Sequence, residues 1–314
     1  MAKVSIILPS YNHKRFLEQR LDSIVSQSFK DWEIIIIDDC STDGSIELLD
    51  EFVKKHSIKV SYYSINKINS KSGYTSWKRG IKKARSKYIW IAETDDYCAP
   101  DFLEELVEIL DTDKDIKIAF SVSDYVNEKG EFLYNSSNRT AKLNVTKDTY
   151  KILDSQDVLK ELPFHPYLIN ASSLVFRNPS EPINNDIFNF KQKSDQFLWT
   201  EILKNGKIAF LNKSLSYFRQ HSKSTTYQNF EKRGLELFGQ NITYCNYFGI
   251  GNTKLKQVLE HYIKLVFRNR LYRQVFFPKS IFDLDGVNKL KILVTYFVLL
   301  FNYVLMLLKA KIIK

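Results

Sequence analysis

Cysteine is scarce and scattered. Cys40, Cys98 and Cys245 are the three in a chain of 314 residues, and none has a neighbour at metal-ligand or redox spacing. An odd, dispersed set argues against a disulfide framework and for a reducing compartment. Ten glycines and seven prolines leave no long linker or low-complexity tract, and no internal repeat is present. The strand-to-helix turns carry neither a G-x-G-x-x-G nor a P-loop. A glycine-lined cradle of backbone amides for phosphate is therefore excluded. The N-terminus, "MAKVSIILPSYN", has no charged-then-apolar leader, which gives the expectation of a cytoplasmic chain. Sequons such as Asn144–Thr146 carry little weight there.

Acidic residues are also in deficit. Lys and Arg number 46 against 36 Asp and Glu, a formal net charge of +10. The excess favours an anionic partner. A dense basic set lies in "KLVFRNRLYRQVFFPK" (264–279), but no nucleic-acid motif accompanies it. Nucleic acid is thus not an expected partner, and a membrane surface or a phosphorylated ligand is.

What is present is ample apolar material, 44% of the chain with 14% aromatic. That suffices for one large domain plus an appendage. Val4–Leu8 and Trp32–Ile37 are β-branched or apolar runs, hence buried strands. Phe16, Leu17, Leu21, Ile24 and Val25 fall at helical spacing, as do Ile46, Leu49, Phe52 and Val53. A strand at 59–63, a helix around Trp77, Ile81 and Ala84, and a strand at 87–92 continue the alternation. Pro100 opens a further helix, and a strand at 116–122 follows. Alternating strand and helix predicts an α/β sandwich with a mainly parallel sheet. Beyond about residue 126 the rhythm breaks into a hairpin and a polar loop. A strand at 170–177, a helix at 194–206 and strands within 207–221 are expected next, and helix from Glu231 onward. Residues 292–308, "ILVTYFVLLFNYVLMLL", carry no charge and are followed by Lys309, Lys311 and Lys314. Seventeen such residues fall slightly short of the ~20 that span a bilayer. Without a polar face, the segment reads as a membrane-embedded or interfacial helix, the other reading being a core helix.

Three polar clusters stand at strand ends: Pro9-Ser10-Tyr11-Asn12, Asp38-Asp39 and Glu93-Thr94-Asp95-Asp96. Ligands of open α/β sheets bind beyond these ends. Carboxylates this close raise one another's pKa unless a positive charge sits among them. Hard oxygen ligands suit Mg²⁺ or Mn²⁺, and a cation held by Asp95 and Asp96 would hold a diphosphate in turn.

"VSIILPSYNHKRFLEQRLDSIVSQSFKDWEIIIIDDCSTDGSIELL" together with "KYIWIAETDDYCAPDFLEEL" resembles family 2 of the inverting glycosyltransferases, of GT-A fold. The likeness is specific over residues 3–110 and looser to about 226. It implies a GT-A domain over 1–226, and the remainder divides into a helical extension, 227–286, and an apolar membrane-associated helix, 287–314. It also implies a nucleoside-diphosphate-sugar donor, a UDP-sugar in most members, with Mn²⁺ or Mg²⁺. By the resemblance, Pro9 and Tyr11 line the base and ribose, Asp39 accepts a hydrogen bond from uracil, and Asp95 and Asp96 meet ribose, diphosphate and metal. "KSDQFLW" matches the segment of the catalytic base, which would be Asp195, with Ser194 where relatives carry Glu. "YFRQHSKSTT" resembles the Arg-x-His-x-x-Ser element, so Arg219 would meet the diphosphate and His221 the metal. Asn170 and Ser172 are acceptor-side candidates. Two departures stand out: Glu93 replaces the first acid of Asp-x-Asp, and Trp77-Lys78-Arg79-Gly80 replaces Arg-Asn-x-Gly. The acceptor implied is a hydroxyl of a glycan or lipid-linked oligosaccharide, in bacterial surface-polysaccharide synthesis at the inner face of the cell membrane. A sugar nucleotidyltransferase and a catalytically degenerate, membrane-bound scaffold are the alternatives.

Overall fold

The computed structural model describes residues 1–159, 161, 167–189, 193–221, 238, 240–245, 247–248, 252–268 and 288–312. The chain divides into two compact units, Met1–His221 and Ser222–Lys314. The expected boundary at 226 lies outside the described residues, as does much of 227–286. Arg270, Arg273 and Lys279 of the basic set, and Lys314, lie outside them too.

Unit one is built on a ten-stranded sheet. Strand β1 (Val4–Ser10) pairs in parallel with β2 (Trp32–Asp38) on one side and β4 (Tyr88–Ile91) on the other. Beyond β2 comes β3 (Val60–Ile65), also parallel. Helices α1 (Lys14–Val25), α2 (Ser45–Lys55), α3 (Gly73–Lys83) and α4 (Phe102–Thr112) alternate with these strands. Ile34, Ile35, Ile36 and Ile37 are all fully buried, which requires cover on both faces of the sheet. The short β5 (Tyr97–Cys98) precedes α4, and β6 (Ile116–Val126) follows it.

The second half of the sheet is mixed. β9 (Leu174–Arg177) lies between β4 and β6 and runs antiparallel to both. β10 (Lys207–Arg219) runs parallel to β6 along its length, against β8 (Tyr150–Asp154) at its start and β5 near its end. β7 (Phe132–Asn135) closes a hairpin onto β6. The expected strands within 207–221 are thus one strand of 13 residues, its register shifting between Leu211 and Ser214 and again before Ser216. Irregularities of this kind bend and twist a strand. At 170–177 the first half is a 3₁₀ turn, Ala171–Ser173, and only Leu174–Arg177 pairs. After the short helices α5 (Ser137–Thr140) and α6 (Ser155–Leu159), helix α7 (Ser194–Leu203) begins at the residue expected and stops three residues earlier.

Helix α3 lies tight against β1. A Cβ on Gly80 would stand 2.4 Å from Ile7 Cγ2, and Ile7 is fully buried in the middle of the sheet. Only glycine allows that approach. The departure Trp77-Lys78-Arg79-Gly80 therefore keeps its glycine for packing.

In unit two, the helices Asn252–Arg268 and Lys289–Ile312 pack together through Tyr262 on Tyr296 and Phe267 on Tyr303. Ile292, Tyr296, Leu299 and Leu300 form the buried stripe at helical spacing. The opposite face is apolar as well, with Val294, Phe297, Val298 and Phe301 exposed. Lys289–Lys309 is long and apolar enough to cross a membrane, and 22% of its most apolar window is buried.

The Gly80 contact gives a first prediction. Overpacking a core costs about 1–3 kcal/mol, and removing a helix glycine returns up to ~1 kcal/mol. Gly80→Ala is expected to lower stability by about 1–2 kcal/mol in urea denaturation. A stabilised variant would show that α3 can shift freely.

Candidate active site

Pro9 helps to open the site. It has no N–H to donate, and the β1–β4 ladder ends just before it, at Ile7 opposite Ile91. The chain after β4 then leaves the sheet as the acidic turn 93–96. Pro9 itself is buried within β1, and its carbonyl accepts from Thr94 Oγ1 at 3.2 Å. Tyr11, the next turn residue but one, is 45% exposed.

The two aspartates after β2 play different parts. Asp38 is fully buried and accepts from Ser10 Oγ, Ser41 N and Ser41 Oγ, tying the ends of β1 and β2 together. Asp39 accepts from Asn66 Nδ2 at 2.7 Å, from Ser70 Oγ at 2.7 Å, and from Ser70 N, which lies 3.0 Å from both of its oxygens. Each oxygen thus has two contacts within the protein. Arg79 holds Asn66 in turn, at 2.7 Å, and meets Tyr62 OH.

The positive charge among the acids comes from two buried arginines, and both grip main chain. Arg20 Nε donates to Glu93 O at 2.7 Å, and its Nη2 donates to Ser172 Oγ at 2.9 Å. Arg219 Nε donates to Asp95 O at 2.9 Å. Its other nitrogens donate to the carbonyls of Asn127 and Glu128 and to Gln19 Oε1. Four of its five N–H groups are thus engaged within the protein, and the side chain is 2% exposed. Arg219, expected at the diphosphate, is placed here as a clamp on the acidic turn. Asn170 and Ser172, expected on the acceptor side, are buried behind the same turn: Asn170 Oδ1 caps Ser172 N, and Ser172 Oγ accepts from Glu93 N.

With their backbone held, the three carboxyl groups diverge. Glu93 accepts from Trp77 Nε1 at 2.6 Å, so the two departures from the family pattern touch one another. Burial, reinforced by the Asp95 charge, pushes Glu93 up to about 8. Asp96 accepts from Arg219 N at 3.0 Å through Oδ1, while its buried Oδ2 has no partner. Burial and then Asp95 raise its pKa as well. Burial also pushes Asp95 up, but the hydrogen bond from His221 and the nearby imidazoles outweigh it and hold Asp95 below the usual carboxylate range.

Asp95 is the centre of a group sequence reading had only in part. Its Oδ2 lies 3.1 Å from His221 Nε2. Among the described residues, His13, Asp95 and His221 bring three ligand-capable atoms within 4.8 Å of one another. His13 stands just before α1, with Nδ1 2.8 Å from Thr94 Oγ1. Burial lowers its pKa. Its signal in the sequence was an imidazole three residues beyond the end of β1, and Arg20 and Trp77 gave no comparable sign.

Asp195 occupies the first turn of α7, and Tyr74 OH donates to its Oδ1 at 3.5 Å. Burial raises its pKa, against the backbone N–H of Gln196 and the charge of Lys193. A raised pKa makes it a stronger base.

A mixed α/β sheet with an acidic turn at the carboxyl end of a central strand defines the GT-A class of fold. The chain belongs to glycosyl transferase family 2, whose family model matches residues 5–167, just over half of its length. TuaG of Bacillus subtilis, named for teichuronic acid biosynthesis, is 32% identical over 123 residues, covering 39% of this chain and 46% of TuaG. TarS of Staphylococcus aureus, a poly(ribitol-phosphate) β-N-acetylglucosaminyltransferase, is 29% identical over 115 residues, 35% of this chain and 19% of TarS. The chain therefore aligns with less than half of the length of either. An uncharacterized glycosyltransferase of Haemophilus influenzae is 26% identical over 79% of this chain and 76% of its own. The structure of S. aureus TarS 1–349 in complex with UDP-GlcNAc matches 96% of this chain and 73% of that one, at 17% identity and a TM-score of 0.56. The fold is GT-A.

Arg219 separates a clamp from a surface ligand. Arg219→Met would leave the carbonyls of Asp95, Asn127 and Glu128 without this donor, each worth about 1–3 kcal/mol if it stays buried. Denaturation is expected to show a loss of about 3 kcal/mol or more. A change within ~0.5 kcal/mol, as at ordinary surface sites, would refute the clamp.

Proposed function

We propose that the protein transfers a sugar from a nucleoside-diphosphate-sugar, a UDP-sugar, to a hydroxyl of a glycan or lipid-linked acceptor, with inversion. The observation that carries this reading is the family 2 match over residues 5–167, whose acidic turn meets His221 at 3.1 Å through Asp95 and connects to Asp195 through Trp77 and Tyr74. In this reading Tyr11, exposed beyond β1, stacks on the base. Asp39 accepts from the ring N–H of uracil in place of one of the two contacts it shares with Ser70 N.

A divalent ion fits the residues present. Two imidazoles and a carboxylate converge, and one buried oxygen of Asp96 has no partner. Asp95 and His221 would hold the ion, with Asp96 behind them; Mn²⁺ or Mg²⁺ would neutralise charge building on the departing diphosphate. The chain's own residues do the rest. Asp195 takes the proton of the attacking hydroxyl, and its buried surroundings favour that uptake. Tyr74 orients the carboxylate from α3. Arg20 and Arg219 keep the acidic turn in place while charge shifts before it.

The donor class is tested by thermal shift with UDP-, GDP- and TDP-sugars and Mn²⁺, since a ligand stabilises the state it binds. UDP-sugars are expected to give the largest shift. Asp195→Asn should lower turnover by about two to four orders of magnitude while donor affinity stays the same. EDTA should abolish transfer, and added Mn²⁺ restore it. Near-normal turnover in Asp195→Asn would place the base elsewhere, and full activity in EDTA would reject the ion.

The second unit supports an acceptor at a membrane. Val294, Phe297, Val298 and Phe301 present an apolar face beside Lys309. Such a face with basic flanks suits anionic headgroups. Replacing Phe297 and Phe301 by Glu is expected to move the protein from vesicle pellets to the supernatant, with UDP-sugar hydrolysis unchanged. A wild-type protein that stays in the supernatant with anionic vesicles would overturn membrane attachment.

A further inference from the structure

We propose that His13 is a third protein ligand of the divalent ion, giving a set of two imidazoles and one carboxylate that favours nitrogen-seeking ions over Mg²⁺. This rests on the reading that an ion binds at Asp95, and it goes beyond the acids and His221 that the family resemblance supplies.

The hydrogen bonds fix which nitrogen of His13 is available. Thr94 is 1% exposed, and its hydroxyl has one hydrogen, directed at Pro9 O at 3.2 Å. The hydroxyl oxygen must then accept from His13, so Nδ1 carries the proton. Nε2 is left with its lone pair free for a cation. Metal-bound histidines commonly donate their other N–H to a fixed oxygen in this way, which sets the tautomer and the ring plane. Here the fixed oxygen belongs to the acidic turn itself, one residue from Asp95. One local structure therefore orients two of the three donors.

His221 supplies the third. Its Nε2 faces Asp95 Oδ2 at 3.1 Å, so an ion held by Asp95 would take this nitrogen in place of that contact. Arg15, 3.4 Å from the other ring nitrogen, already meets Glu128 at 3.0 Å and would stay with it.

The donor set decides which ion is preferred. Mg²⁺ favours an oxygen shell and keeps its waters, whereas imidazole suits later first-row ions. Affinity should rise from Mg²⁺ through Mn²⁺ to Co²⁺.

The test titrates the full-length protein with each metal alone. Co²⁺ is followed by its visible absorption, and Mg²⁺ by displacement of Mn²⁺ read as the free-Mn²⁺ resonance signal. His13→Ala is expected to weaken Co²⁺ binding by ~100-fold or more, beyond the ~10- to 100-fold that loss of an outer partner of a ligand costs. Mg²⁺ binding should change far less, so the Co²⁺-to-Mg²⁺ ratio collapses. Equal Co²⁺ affinity in wild type and His13→Ala overturns the His13 assignment while leaving an ion at Asp95 and His221. Absence of binding by any of the three ions overturns the ion reading as well. If His13→Ala lowers the metal-free melting temperature, the assignment is read in the wild type from histidine ¹⁵N spectra with Zn²⁺. A shift of Nε2 in both rings supports it, and a shift in His221 alone overturns it.

Discussion

Three carboxyl groups within four residues can share one turn only if something offsets their mutual repulsion. The protein does this from behind. Arg20 and Arg219 grip the carbonyls of Glu93 and Asp95, so the positive charge lies on the main-chain side. A direct Arg–carboxylate pair would have neutralised the acids and closed the site. Gripping carbonyls fixes the backbone and leaves the carboxylates to other partners. Nearly everything at the site depends on that division, because the long strand β10 exists to deliver Arg219 and His221 to this edge of the sheet.

The same logic explains the two departures from the family pattern. A glutamate reaches one methylene further than an aspartate, and at Glu93 that reach ends on the indole N–H of Trp77. Trp77 sits against Trp199 of α7 and Tyr74 of α3. Tyr74 in turn touches Asp195. Acidic turn, aromatic cluster and candidate base are thus one connected set of contacts. Glu93 acts within it as an anchor for α3, and its raised pKa follows from that buried position beside Asp95.

How much of this the sequence disclosed follows from the range of the contacts. The strand–helix alternation was legible because burial on both faces makes an unbroken apolar run such as Ile34–Ile37, and burial on one face makes helical spacing. The clusters at strand ends were legible for the same reason. β9 was not read as an antiparallel insertion, since its partners lie 54 to 89 residues away in β6 and β4. The clamp made by Arg219 was not legible on similar grounds, since Gln19, Asn127 and Glu128 are brought around it only by the fold. His13 needed the tertiary structure as well, because its pairing with Thr94 spans 81 residues.

The missing glycine cradle can now be given a physical counterpart. Backbone amides at a helix N-terminus bind phosphate with partial charges that are always present. In the proposed reading a diphosphate would instead meet its attraction in an ion held by His221 and Asp95. Donor binding and ion binding would then be linked, each strengthening the other, as reciprocity of coupling requires. Excess positive charge elsewhere on the chain cannot substitute for this, because solvent screens it within about 8 Å at physiological salt. A net charge of +10 is compatible with an acidic site for that reason: the two act over different distances and on different partners.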